Sequence, residues 1–597
     1  MTDDRSPRLD WTEDGAPVSG RFGDVYFSRE DGLAESRAVF LAGCGLPDAW
    51  KARNRFTVAE LGFGTGLNVA ALIALWLRQR PVGGRLHVFS VEAFPLTRNE
   101  AARALSAWPE LADIVEGLIA AWPPGTPGFH RFALPADWGV SLDLAVAPVE
   151  DALTDWMGAA DAWFLDGFAP AANPEMWSDA VLDLVAARSA PAARLATFTV
   201  AGAVRRGLQR RGFTVDKRPG HGRKRERLEA RAAGEAGPTS PAPRVAVIGA
   251  GIAGMSAVRA LRALGADPVL IDGDGPGAGA SGFPAALVTP RLDVGDRDLA
   301  ALYAQALDRA GALYRQVDGA VLTHGVVQLE QAPRDARRYD HIPKQSIWPD
   351  GAMVRLSAEA AAERLHEPQA TGGLLMTEAM VVRPAAILSA WADGVATAPM
   401  RVAKIDASDT GVLILGQDGE RLNVDAVVLA AGWGVDALRP ELGLRPVRGQ
   451  ADWVEGPTGP AVAWGGYVAP TTNGLLFGAT HDRDRTDVEV DPADTARNID
   501  ALASRLPGLA RRLPAAEARG ARAAVRATTP DRLPAAGALS ERVFLIGGLG
   551  SRGFCLAPLL GEHVGAMVVG ALSPLPRRLA ARLSPSRLAE RSGPRDR

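Results

Sequence analysis

Short apolar runs of strand length alternate with longer, helix-like stretches along the first part of the chain: Thr57–Leu61, Leu86–Val91, Asp143–Ala147, Asp161–Asp166 and Arg194–Thr199. The first run passes through glycines into the helical stretch Val69–Leu77. Strands separated by helices imply parallel pairing through crossovers, so this rhythm predicts a doubly wound, Rossmann-like α/β sheet. The periodicity then fails. From Ala230 to Pro243 the chain reads ARAAGEAGPTSPAP, gathering the Gly, Pro and Ser of a linker. Beyond it, Arg244–Leu264 predicts a second strand, glycine loop and helix, and Pro268–Asp272 a further strand. Ala426–Ala430 and Val543–Ile546 are short apolar runs suited to buried strands of the same sheet, separated by long insertions. That is the pattern of a Rossmann core interrupted by a substrate domain, α/β joined to α+β. The expected organisation is residues 1–232, a linker 233–243 and residues 244–597.

Composition narrows the picture. At 597 residues the chain is too long for one ordinary core. Its 47% hydrophobic and 23% charged residues are those of a globular protein. A net charge of -3 carries no global signature of nucleic-acid binding, so any RNA contact must come from local basic patches. Two cysteines, Cys44 and Cys555, exclude a disulfide framework and a thiolate-rich metal centre. The N-terminus carries acids and proline where a secretory signal needs an apolar core, and no apolar run is long enough for a bilayer. A cytoplasmic protein without a metal, a membrane or an obligate protein partner is expected.

The first glycine loop runs Glu60-Leu61-Gly62-Phe63-Gly64-Thr65-Gly66-Leu67-Asn68 between strand and helix. Glycines there let the backbone turn sharply and approach a ligand, although a ligand-free turn has the same pattern. Two acids favour S-adenosylmethionine over a dinucleotide. Glu60 precedes the loop, where it can meet the methionine end, and Glu92 ends the next strand, where it can accept hydrogen bonds from two ribose hydroxyls. Gly62, Gly64, Gly66 and Asn68 complete the candidate cofactor set. Glu150 and Asp151 follow the third strand; either can edge the adenine or simply open the helix Ala152–Met157. The loop Asp166-Gly167-Phe168-Ala169-Pro170-Ala171-Ala172-Asn173-Pro174-Glu175-Met176-Trp177 follows a strand end on the cofactor side. Methyl transfer to an amine needs a neutral nitrogen lone pair, so a carboxylate that accepts the proton or orients the amine is useful, and Asp166 is the catalytic candidate. Trp177 is a base-stacking or a core residue.

The second loop, Arg244-Val245-Ala246-Val247-Ile248-Gly249-Ala250-Gly251-Ile252-Ala253-Gly254, has Asp272 18 positions after its last glycine. Here Gly249 makes the turn, Gly251 admits the pyrophosphate, Gly254 permits close packing and Asp272 binds the adenosine ribose. The small residues Gly279-Ala280-Ser281-Gly282 and the late segment Gly547-Gly548-Leu549-Gly550-Ser551-Arg552-Gly553-Phe554 favour FAD over NAD, adding Ser281, Gly282, Gly550 and Ser551 to the cofactor set. Together these segments resemble the D-amino-acid-oxidase-like flavoproteins.

Both halves, in order, resemble the MnmC family of bifunctional tRNA-modifying proteins. The resemblance rests on the ELGFGTGLN loop, the D-x-F-x-P-x-x-N-P-x-M-W pattern from Asp166, and the ASG and GLGSRG segments. It implies a methyltransferase followed by an FAD-dependent oxidoreductase. The oxidoreductase would remove the carboxymethyl group of carboxymethylaminomethyl(-2-thio)uridine at the tRNA wobble position, and the methyltransferase would then methylate the amine. Asp166-Gly167-Phe168 departs from the family's Asp-Ala-Phe. A substrate carboxylate invites a guanidinium, and Arg552 and Arg526 are the candidates. The basic stretch His221–Arg227, with Arg205, Arg206, Arg210 and Arg211, is a solvated face or an RNA contact, and Arg291, Arg297 and Arg483 are further candidates. A small-molecule oxidase of N-substituted glycines fused to an amine methyltransferase, and a non-catalytic tRNA-binding protein, are the alternatives.

Overall fold

The computed structural model describes residues 6–13, 15–27, 31–222, 225–237, 242–514 and 519–591. The chain divides into two compact units, Met1–Pro241 with Pro574–Arg577, and Ala242–Ser573 with Arg578–Arg597.

The first unit opens with a small antiparallel sheet of β1 (Leu9–Trp11), β2 (Pro17–Ser19) and β3 (Asp24–Val25). Its main sheet contains β4 (Arg55–Leu61), β5 (Arg85–Glu92), β6 (Gly128–Arg131), β7 (Val140–Val146), β8 (Ala160–Leu165), β9 (Ser189–Thr197), β10 (Thr214–Pro219) and β11 (Glu226–Arg231). Their order is β10-β11-β9-β8-β4-β5-β7-β6. β4 pairs in parallel with β5 on one side and β8 on the other, Leu61 standing opposite Val91 and Leu165. The chain order therefore reverses at β4, and the residues after β4, β5 and β8 converge at one end of the sheet, the usual place for a ligand. The helix Leu67–Gln79 follows β4 because LNVAALIALWLRQ contains no Gly or Pro and is apolar almost throughout; Leu72, Ile73 and Trp76 are fully buried.

The five runs expected from the sequence are β4, β5, β7, β8 and β9. Three strands are additional, β6 and β10 at the edges and β11 between β10 and β9. β10 is nearly all exposed, so TVDKRP carries no apolar period, and β6 is only four residues long. Ala230 and Arg231, read as the start of the linker, complete β11 opposite Leu195 and Arg194.

In the second unit, β12 (Val245–Ile248) and β13 (Val269–Ile271) lie in a six-stranded sheet with Ala396–Ala398, Ala426–Leu429, Val543–Gly547 and Ala535–Ala538. Ile248 stands opposite both Ile271 and Leu429, so the first βα turn again opens at a strand-order reversal. A separate ten-stranded sheet, including Gly373–Val382, Arg445–Glu455 and Arg519–Thr528, is built from the long insertions. The helix Gly553–Val569 returns to the Rossmann core and packs on the helix Ile252–Ala263, where a Cβ on Gly561 would stand 2.6 Å from the Ser256 backbone.

Candidate active sites

In the first unit a cavity of about 1340 Å³ opens at the reversal point. Gly62, Gly64, Asn68, Glu92, Asp151 and Asp166 all line it. Gly62 has φ +85° and approaches the next loop so closely that a Cβ would meet Gly167 Cα at 2.8 Å. The Glu92 carboxylate accepts the N–H groups of Gly64 and Phe94, each at 2.9 Å, and burial raises its pKa. Asp166, just past β8, accepts the Asn68 amide at 2.7 Å. Asp151 lies in the first turn of the helix Val149–Asp155 and is exposed to the cavity.

Two expectations change. Glu60 does not line the cavity: it is fully buried, facing its cross-strand partner Ser90, whose hydroxyl it accepts at 2.5 Å. Strand alternation turns its side chain into the sheet's interior, and desolvation raises its pKa to about 8. Gly66 also lies outside the lining, serving as the turn residue before the helix. Trp177 is buried, donates to the Phe168 carbonyl at 3.1 Å and meets Phe198 edge-on, so it braces the loop from within. Gly167 adopts φ +106°, with the Met176 sulfur 2.3 Å from where a Cβ would be, so a side chain there would be strained.

The N-terminal sheet supplies residues that sequence reasoning missed. Phe22 stacks on Phe168 with centroids 4.7 Å apart, Tyr26 meets the same ring edge-on at 5.3 Å, and Arg21 lies 4.1 Å over Phe94. Asp24 accepts the Ala169 N–H at 3.3 Å. The available signal was the aromatic cluster in Arg21-Phe22-Gly23-Asp24-Val25-Tyr26-Phe27, which precedes every recognisable motif.

The second unit holds a cavity of about 1050 Å³ lined by Gly249, Gly251, Asp272, Ser281, Gly550, Ser551, Arg552 and Arg526. Gly249 has φ +107°, and a Cβ there would stand 2.6 Å from the Ala430 carbonyl oxygen. Asp272 accepts the N–H groups of Ala250 at 2.7 Å and of Asp274 and Gly275 at 2.8 Å, tying the end of β13 to the glycine loop. Ser281 Oγ accepts the Ile252 N–H at 3.0 Å. Two glycines are packing positions outside the lining. A Cβ on Gly254 would stand 1.8 Å from the Gly249 carbonyl oxygen, matching its expected packing role. One on Gly282, expected at the cofactor, would collide with the Gly277 carbonyl oxygen at 2.0 Å.

The two arginines differ. Arg552 donates to the Thr289 carbonyl at 3.0 Å and hydroxyl at 2.6 Å. Arg526, on the strand Arg519–Thr528, lies beside Gly449 and makes no ion pair among the described residues. Burial lowers the pKa of both guanidinium groups, which remain charged. Tyr467 and His481 share the cavity; burial, then the charge on Arg526, lowers the histidine's pKa. Neither sits in a motif legible in the sequence.

Four of the basic candidates pair with local acids. Arg210 pairs with Asp179 at 2.9 Å, Arg211 with Asp183 at 2.7 Å, Arg227 with Glu229 at 2.7 Å and Arg291 with Asp293 at 3.5 Å. Arg205 and Arg206 lie on the helix Gly202–Arg210, Arg297 opens the helix Arg297–Tyr314 and Arg483 ends the strand Asp482–Arg483. His221 lines the first cavity, while Arg223 and Lys224 lie outside the described residues. Among the described residues, no group of three or more His, Cys, Asp or Glu is placed to hold a metal, and no helix is long and apolar enough to cross a membrane.

Residues 244–567 match the family of FAD dependent oxidoreductases, and residues 109–233 the family of S-adenosyl-L-methionine-dependent methyltransferases. A protein of Caulobacter sp. (strain K31), named tRNA 5-methylaminomethyl-2-thiouridine biosynthesis bifunctional protein MnmC, is 53% identical over 603 residues, covering 99% of each chain. Its namesake in Caulobacter vibrioides is 52% identical and covers 97% of each. Among solved structures, an L-proline dehydrogenase from P. horikoshii aligns with a TM-score of 0.51 at 17% identity, over 59% of this chain and 99% of its own, a likeness of fold.

Proposed function

Because this chain belongs to the MnmC family of tRNA 5-methylaminomethyl-2-thiouridine biosynthesis bifunctional proteins, we propose that its two cavities perform successive steps on one wobble uridine. The chain is a bifunctional enzyme with FAD and S-adenosylmethionine as cofactors. Oxidation by the second unit removes the carboxymethyl group of carboxymethylaminomethyl(-2-thio)uridine, and methylation by the first converts the resulting aminomethyl group to methylaminomethyl. The order of reaction thus reverses the order along the chain. We assign residues 1–232 to methyl transfer and 244–597 to oxidation, joined by 233–243, acting on tRNA in the cytoplasm without an obligate protein partner. An ordinary charge balance and a nearly cysteine-free composition support that placement.

The residues present fit both cofactors. The N–H groups at the start of the helix Ile252–Ala263, beside Gly249 and Gly251, suit a pyrophosphate, and Asp272 stands at the ribose position. In the other cavity, Glu92 stands at the corresponding strand end beside Gly62 and Gly64. When bound, FAD accepts a hydride from the carbon beside the substrate amine and S-adenosylmethionine supplies a methyl group. Arg526 holds the substrate carboxylate, with Arg552 as the second cation of the cavity. Water hydrolyses the substrate imine left by oxidation, releasing glyoxylate and the free amine. Asp166 then accepts the ammonium proton or orients the neutral amine toward the methyl group. The rings of Phe22, Tyr26 and Phe168 exclude water beside it.

The observation that carries this reading is that each cavity joins a glycine loop to a side chain suited to its chemistry, Asp166 in one and Arg526 in the other. The test is nucleoside mass analysis of carboxymethylaminomethyl-tRNA incubated with the flavin-loaded chain. Without S-adenosylmethionine the aminomethyl nucleoside should accumulate, and with it the methylaminomethyl nucleoside. Unchanged nucleosides with both cofactors bound, or faster turnover of free N-substituted glycines than of tRNA, would overturn the assignment.

A further inference from the structure

Asn68 and Glu60 have no part in the chemistry above, yet both lie near Asp166. Asn68 is the second residue of the helix Leu67–Gln79 and is 9% exposed. Its Nδ2 donates to Asp166 Oδ2 at 2.7 Å. An ionised carboxylate only accepts hydrogen bonds, so the amide must present its NH₂ side to Asp166. The Glu60 carboxyl lies next to the same amide. Its Oε2 accepts the Ser90 hydroxyl at 2.5 Å, while the buried Oε1 has no hydrogen-bond partner. Burial is the main reason that Glu60 keeps its proton up to a pH of about 8; Ser90 and Asn68 oppose the rise, and the charge on Asp166 adds to it. Near neutrality Glu60 therefore places no second negative charge against Asp166.

We propose that Asn68 is a positioning residue for methyl transfer: it holds one oxygen of Asp166 so that the carboxylate faces the substrate amine. This departs from the sequence expectation that Asn68 contacts S-adenosylmethionine, and it rests on the reading of Asp166 as the catalytic carboxylate. The physical need is angular. The amine lone pair must lie in line with the transferred methyl group, and a carboxylate free to rotate would meet the amine in many unproductive orientations. The parallel neighbours β4 and β8 bring the start of the helix and Asp166 together, so one amide can span the gap.

A double-mutant cycle in the flavin-loaded full chain tests the assignment, with methyl transfer measured at saturating S-adenosylmethionine and its affinity measured by calorimetry. Asn68→Ala should lower kcat roughly 10- to 100-fold, the scale of one hydrogen bond to a charged group. The Kd for S-adenosylmethionine should stay within about threefold, and oxidation by the second unit should be unchanged, which controls for folding. In an Asp166→Ala background the same substitution should cost less than about twofold, because there is no carboxylate left to orient. Loss of S-adenosylmethionine affinity in proportion to the rate, or an equal loss in both backgrounds, would overturn the proposal. An undiminished rate in Asp166→Ala alone would instead overturn the reading of Asp166, and this proposal with it.

Discussion

Replacing Arg526 by methionine keeps much of the side chain's length and removes its fork of donors. Arg526 lines the second cavity beside Gly449, on a strand paired through Val447, and makes no ion pair among the described residues. Arg526 is half-buried, so it has lost hydration that a substrate carboxylate can repay through two charge-assisted hydrogen bonds. Truncating one partner of such a buried pair costs about 3–5 kcal/mol, or roughly 10²- to 10⁴-fold in kcat/KM. Arg552→Met should cost less, because that guanidinium already donates to Thr289. The assay is anaerobic flavin reduction by carboxymethylaminomethyl-tRNA, followed by loss of flavin absorbance. A substrate with a carboxamide in place of the carboxylate supplies the control: Arg526→Met should barely change its rate. An equal loss on both substrates, or a loss below about fivefold on the acid, would refute the reasoning. Gly449→Ala is an independent perturbation, because its Cβ would stand 2.5 Å from Arg526 Nη2 and displace the fork; about a tenfold loss is expected on the acid alone.

Other outcomes follow from buried groups. Glu60 has a folded pKa of about 8 against an ordinary value of 4.5, so the native state holds a proton that the unfolded chain releases. Its contribution to stability is complete below the ordinary value and is lost as pH rises toward about 8. Glu60→Gln should therefore raise the unfolding temperature of the first unit more at pH 8 than at pH 5, as read by calorimetry of the full chain; an identical shift at both would contradict the buried neutral acid. Glu562 accepts from Arg309 at 2.6 and 2.9 Å and from Arg259 at 2.9 Å, so Glu562→Ala removes a buried carboxylate from two guanidinium groups at a cost of about 3–5 kcal/mol. Urea unfolding followed by flavin release should show the lowered midpoint. Gly561→Ala forces a methyl group against the Ser256 backbone and should cost about 1–3 kcal/mol in the same assay, with methyl transfer retained.

The sequence by itself determined the features that depend on neighbours along the chain. The apolar runs of β4, β5, β8 and β12 and the glycine loops after β4 and β12 are local, because a strand must turn sharply before a helix can pack back on the sheet. A parallel sheet whose order reverses then explains why Asp166 and Asp272, at the ends of neighbouring strands, belong beside those loops. Tertiary structure alone decided which side of a strand a functional-looking residue serves. Glu60 resembles a cofactor acid in sequence, but its register with Ser90 turns it inward. Gly282 lies in a small-residue run yet packs on the Gly277 carbonyl. Arg526 and Arg552 were equal candidates until one was found committed to Thr289. The aromatic wall of Phe22, Tyr26 and Phe168 was hidden for the same reason: Phe168 is far along the chain from the other two, and a cavity assembles side chains by distance in space rather than along the backbone.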